Sequence, residues 1–173
     1  WGAADWCSQC QMAGACQGPS FAEPGDFGPG KGEAHYDVGV SALALLAFLG
    51  QGHTSNAGAF QATVELGLQW LTKQQDATSG VLGFDENRGE SMYNHAIATR
   101  ALCDAFRLSE DPRWKEPAKR AIDFCLAAQN PDLGWKYGVR PGNNDTSVTG
   151  WMVLALKAAE KAGLQVPAAS FDG

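Results

Sequence analysis

Side chains able to do chemistry collect at three places in the sequence, each just ahead of an apolar run: His35-Tyr-Asp37, Tyr93-Asn-His95 and Asn144-Asp145-Thr146. Asp145, His95 and Asp37 are the candidate catalytic groups, because a carboxylate or an imidazole can pass a proton at a reacting atom. His35, His95 and Asp37 together could also hold a divalent metal. A structural role stands beside each reading: the first turn of a helix leaves backbone N–H groups free, and Asp is among the best residues to cap them. Tyr93, Asn94, Arg140, Asn144 and Trp151 complete a candidate ligand-binding set. Arg140 sits in Gly138-Val-Arg-Pro-Gly142, just ahead of Asn144 and Asp145. There it could bind an anionic group or pair with Asp145. Phe84, Tyr93, Trp135, Tyr137 and Trp151 supply ring faces that could meet a cation or tie packed segments together.

Cys7-Ser-Gln-Cys10, followed by Cys16, is a further constellation. A C-x-x-C pair is half a zinc site, and His35 could complete a Cys3His set. A disulfide between two of the three, or free thiols in a loop, are the other states open to them. No cofactor is required by these residues, though zinc could be held by them. Cys103 and Cys125 fall in apolar segments and read as small buried hydrophobes.

The elements that must position these residues are helices. Asp37 to Leu49 is apolar almost without interruption, with Asp37 placed to cap it and Gly50 and Gly52 to stop it. A run apolar on every side is expected to be buried on every side. Phe60 to Gln75 carries Val64, Leu68 and Leu71 at helical spacing. Asn94 to Leu108 follows a Gly-rich loop. Asp111-Pro112 begins the next helical region, and Pro117 sets the main helix from near Glu116 to Gln129. The last clear helix is Asp145 to Gly163, with Val148, Trp151, Met152, Ala155 and Ala159 along one side. Residues 1–34, rich in Gly, Pro and Cys, have no helical period and read as a loop region.

These helices repeat. Asp37-Val-Gly-Val-Ser-Ala-Leu, Asn94-His-Ala-Ile-Ala-Thr-Arg and Asp145-Thr-Ser-Val-Thr-Gly-Trp align, each opening with Asp or Asn. Trp70-Leu-Thr-Lys-Gln-Gln75 aligns with Phe124-Cys-Leu-Ala-Ala-Gln129. A unit is an amphipathic outer helix, a glutamine-bearing end, a Gly-aromatic loop (Gly83-Phe84, Gly134-Trp135) and a more apolar inner helix. Such hairpins bury their faces only against neighbours.

Composition narrows the function. The 173 residues suit one domain, and 45% hydrophobic residues suffice for a core. Charged residues are only 18%, which points to surface covered by a partner or by further repeats. A formal net charge of −6, with no run of Lys and Arg, excludes the basic surface that nucleic acid and anionic membranes require. No apolar run reaches the roughly 20 residues of a transmembrane span. The chain begins at Trp1 without a Met, so a removed leader and no leader are both open. The compartment, exported or cytoplasmic, stays open with it.

Phe124-Cys-Leu-Ala-Ala-Gln-Asn-Pro-Asp-Leu-Gly-Trp135 resembles the glutamine-tryptophan repeat motif of squalene–hopene cyclases, and residues 35–165 resemble the repeats of terpene cyclases and protein prenyltransferases. His35-Tyr-Asp-Val-Gly-Val, Tyr93-Asn-His-Ala-Ile-Ala-Thr and Asn144-Asp-Thr-Ser-Val-Thr-Gly-Trp-Met are similar to runs in a bacterial group of prenyltransferase/squalene oxidase repeat proteins. The resemblance implies an all-α fold: helical-hairpin repeats forming part of an α/α toroid, inner helices around a cavity. About two and a half hairpins are present, an incomplete ring, and residues 166–173 read as the start of a further repeat. Missing chain segments or a protein partner would complete it.

The same resemblance locates what is absent. The cyclase acid motif D-x-D-D-T falls on Gly142-Asn-Asn-Asp-Thr146, where the proton donor's place holds Asn144, and an amide has no such proton to give. The prenyltransferase zinc set of Asp, Cys and His is not matched either. The expected function is therefore a ligand- or protein-binding module built on the toroid repeat. The alternatives are an enzyme on an isoprenoid or other apolar substrate, and a structural subunit of a larger assembly.

Overall fold

The computed structural model describes residues 34–83, 85 and 91–172. Among these residues, five α-helices carry the fold: α1 (Asp37–Gly50), α2 (Gln61–Lys73), α3 (Ser91–Ser109), α4 (Lys115–Ala128) and α5 (Thr146–Lys161). Short 3-10 turns occupy Ala34–Tyr36, Pro112–Trp114 and Ala168–Phe171. No β-strand occurs among the described residues. An isolated bridge between Gln75 and Leu82 closes the turn after α2. The all-α expectation holds, and the helices fall where the apolar periodicity put them, within a few residues.

α3 is the centre. It packs along α1 on one side and α5 on the other, and against α4. α2 packs on α1, so α1, α3 and α5 form an inner row with α2 and α4 behind it. Each outer helix sits chiefly on the inner helix that precedes it, so the tighter hairpins are α1–α2 and α3–α4. Leu45, Leu68, Leu71, Met92, Leu102, Ile122, Met152 and Leu156 fill the space between the rows and are inaccessible to solvent. Removing each from water contributes about 1.5–3 kcal/mol, enough to make this seam the main source of stability. Cys103 and Cys125 are free and buried in the same core, as their surroundings foretold.

Two expectations are corrected. Asp37 does not cap α1: the preceding 3-10 turn makes Tyr36 the boundary residue, no side chain caps it, and Asp37 lies in the first turn. Nor is α1 buried all round. Val40, Leu43 and Ala47, at i, i+3 and i+7, are exposed, because nothing among the described residues covers that side of the inner row. Asp145 does cap α5, accepting from the Ser147 and Val148 N–H groups. Pro117 sits in the first turn of α4, where the missing N–H costs nothing. Phe171 ends the Ala168–Phe171 turn, its ring under the Lys157 ammonium at 3.7 Å.

Candidate functional site

Among the described residues, the inner row has one face that no other element covers. Helical spacing places Tyr36, Val40, Leu43 and Ala47 on one stripe of α1. Tyr93, Ile97, Arg100, Asp104 and Arg107 form the matching stripe of α3, and Ser147, Gly150, Trp151 and Leu154 that of α5. On α3, Tyr93, Arg100, Asp104 and Arg107 of this stripe, with Phe106 and Leu108 near its end, are the residues not buried, while Ile97 is buried. His95, two residues beyond Tyr93, points the opposite way, to the Ala121 carbonyl of α4. The three stripes therefore lie side by side, facing away from α2 and α4. Val40, Leu43 and Leu154 stand 37%, 46% and 45% exposed, well above the residues behind them.

At the upper rim of this face, a hydrogen-bonded chain joins α3 to α5. The Ser147 hydroxyl donates to Asp145 Oδ1 at 2.6 Å and lies 2.5 Å from the Tyr93 hydroxyl. Since serine has a single hydroxyl proton, the phenol is the donor to Ser147. The order is Tyr93 to Ser147 to the Asp145 carboxylate. The Tyr137 ring stands 6.3 Å from that of Tyr93 at a tilt of 54°. Hydrogen bonds from the Ser147 side chain first, then from the Val148 and Ser147 N–H groups, with the charge of Lys136 adding a little, hold the Asp145 carboxyl below the usual carboxylate range. At the lower end, Arg107 pairs with Asp104 at 2.9 Å and Arg100 approaches the same carboxylate at 3.8 Å. An apolar band thus runs between a polar rim and a cationic end.

The other candidates fall outside this arrangement. His95 is fully buried: its Nδ1 accepts the Leu82 N–H at 3.1 Å, which leaves the proton on Nε2 to donate to the Ala121 carbonyl at 3.1 Å. Burial pushes its pKa down to about 3, so the ring is neutral and both nitrogens are used. Asn94 is buried as well; it accepts the Gly39 N–H and donates to the His35 carbonyl at 2.6 Å and that of Gly83 at 3.3 Å. Asn144 accepts from Asn130 Nδ2 at 2.7 Å and packs over Gly134, where a side chain would collide with it. Arg140 does not pair with Asp145: its Nε donates to the Ala127 carbonyl at 2.9 Å, closing the end of α4. Trp151 is half-buried, packed against the core beside the free face. The His35 ring lies against that of Tyr36, with centroids 3.7 Å apart.

Asp37 lines a groove between α1 and α2. With His95 buried behind α3, the His35–Asp37–His95 metal set does not assemble, and no group of three His, Cys, Asp or Glu is placed to hold a metal among the described residues. Cys7, Cys10 and Cys16 lie outside those residues, as does Phe84. The Trp135 ring is buried, its Nε1 donating to the Cys125 carbonyl at 2.8 Å, which makes it a packing tie. Sequence reasoning missed Ser147, Val40, Leu43 and Leu154. The signal for the last three was a second set of apolar residues, on the side of α1 and α5 opposite the core. No helix of the described residues is long and apolar enough to cross a membrane.

Comparison with known proteins finds no matching family model, curated protein or solved structure.

Proposed function

We propose that the chain is a binding module of the squalene-cyclase and prenyltransferase type of α/α repeat, and that the free face of α1, α3 and α5 is its binding surface. The observation that carries this reading is the row of exposed apolar side chains, Val40, Leu43 and Leu154, on helices whose other faces are packed. An apolar chain with a polar end fits that surface best. The apolar band takes the chain, and the Tyr93–Ser147–Asp145 rim or the Arg100–Arg107 end takes the polar group. An isoprenoid is the member of that class the family resemblance favours, and closure of the face by further repeats or a partner would turn it into a cavity. The all-helical, two-row packing is compatible with a toroid segment.

Binding is preferred to cyclisation because of Asp145. A proton-donating carboxyl must hold its proton until the alkene arrives. Asp145 is instead stabilised as the anion by its cap.

Organic extraction and mass spectrometry of the full-length protein, purified from its native source, test the reading. A stoichiometric isoprenoid or lipid is expected, lost from a Leu43→Lys, Leu154→Lys variant. An empty extract with reproducibly co-purifying protein would replace the small ligand by a protein partner.

A further inference from the structure

The protons of the Tyr93–Ser147–Asp145 chain all run one way, and that direction decides what the rim recognises. Tyr93 gives its phenolic proton to Ser147, and Ser147 gives its own to Asp145 Oδ1. Asp145 Oδ1 also accepts the N–H groups of Ser147 at 3.0 Å and Val148 at 2.9 Å. Its other oxygen, Oδ2, accepts no hydrogen bond among the described residues. The chain therefore keeps no proton to donate. It presents acceptors only: Asp145 Oδ2 and the remaining lone pairs of the Tyr93 phenol oxygen.

Tyrosine rings stand beside these acceptors. Tyr137, 39% exposed, holds its ring 6.3 Å from that of Tyr93. Tyr36, 38% exposed, precedes Asp37 on α1 as Tyr93 precedes Asn94 on α3. Ring faces and a carboxylate both attract a cation that carries N–H groups, and both repel an anionic head. At the lower end of the band the charges are already matched. Arg107 pairs with Asp104 at 2.9 Å, and Arg100 approaches the same carboxylate at 3.8 Å. The Asp145 carboxylate is met instead by the hydrogen bonds at the start of α5 and by the weak pull of Lys136.

We infer that the polar end of the ligand is a protonated amine, bound at Asp145 Oδ2 beside the Tyr93 ring, with its apolar chain running down the band toward Leu43 and Leu154. Asp145 and Leu154 lie about 14 Å apart along α5 at ~1.5 Å per residue, which is the reach the chain needs. The inference rests on the reading of this face as a ligand surface and adds the head group to it.

Titration of the isotopically labelled full chain with dodecylammonium, dodecanol and dodecanoate, below micelle formation, tests it. Shifts of the Leu43 and Leu154 methyls report occupancy of the face, and the midpoints report the choice of head. Dodecylammonium is expected to bind about tenfold tighter than dodecanol, the combined effect of one exposed ion pair and one cation–π contact, with dodecanoate weaker than both. Asp145→Asn, whose carboxamide oxygen still caps α5, should bring dodecylammonium level with dodecanol. If that variant does not fold, the order of the three in the unaltered chain decides. Equal binding of the three, or tighter binding of dodecanoate, would overturn the inference and leave the face a ligand surface. Methyl shifts absent with all three would remove the surface and the inference together.

Discussion

The side-chain oxygen of Asn94 accepts the backbone N–H of Gly39 at 3.0 Å, and a Cβ on Gly39 would stand 2.6 Å from that oxygen. The first turns of α1 and α3 meet here without a side chain between them. The same amide also holds the His35 and Gly83 carbonyls, so one buried asparagine ties three segments.

Gly39→Ala is expected to destabilise the chain by about 1–3 kcal/mol through overpacking, offset in part by alanine's better helix propensity. Asn94→Ala strands the buried Gly39 N–H and should cost a similar ~1–3 kcal/mol. Because the two act on one contact, the double variant should cost less than the sum. Urea denaturation of the four proteins measures this, and strict additivity would contradict it.

His95 gives stability a pH dependence. Its folded pKa, about 3, lies below the ordinary histidine value near 6.5, so the unfolded chain binds the extra proton between them. The contribution is complete above the unfolded pKa and declines as pH falls toward the folded one. Between pH 7 and pH 5 it should remove about 2 kcal/mol, at 1.36 kcal/mol for each unit below 6.5. Asp76, Asp111 and Asp145, whose pKa values are lowered, contribute in the more acid range instead. Denaturation at the two pH values, compared with His95→Gln, checks the assignment: the slope should flatten in the variant.

Asp145 is expected to behave as a cap. Asp145→Ala should lower the melting temperature, while Asp145→Asn retains most of the stability because its carboxamide oxygen still accepts from Ser147 and Val148. Parallel thermal melts decide, and equal losses in the two variants would point to the negative charge instead.

On the free face, Leu43→Lys and Leu154→Lys should each change stability by no more than about 0.5 kcal/mol, since both side chains already stand in water. Ligand retention after purification should fall in both. A large stability loss would mean that the face is packed.

Much of this was legible. The five helices follow from apolar spacing, and Asp145 as a cap follows from its place before Val148 and Met152. Arg140 and Asp37 were not, for local reasons. Arg140 has a positive φ of 49°, which turns its side chain to α4, and a 3-10 turn ahead of Asp37 shifts the helix start by one residue. His95 read as a reactive group because its type suggests chemistry. Its neighbours carried the opposite signal: it lies on the other side of α3 from Tyr93, and Thr99, one turn on, lies 3.4 Å from its Nε2. The free face was hidden by α1 itself, since a helix apolar on all sides does not announce which side stays open.

Gln75 and Gln129 each divide one amide between their own turn and the segment that follows. Each turn therefore gains part of its hold from its downstream neighbour. Loss of order at the Ala168–Phe171 end would free Gln129, loosen α4 and then release Gln75. The array should come apart like a zip opened from that end, and hydrogen exchange along the chain should record the direction.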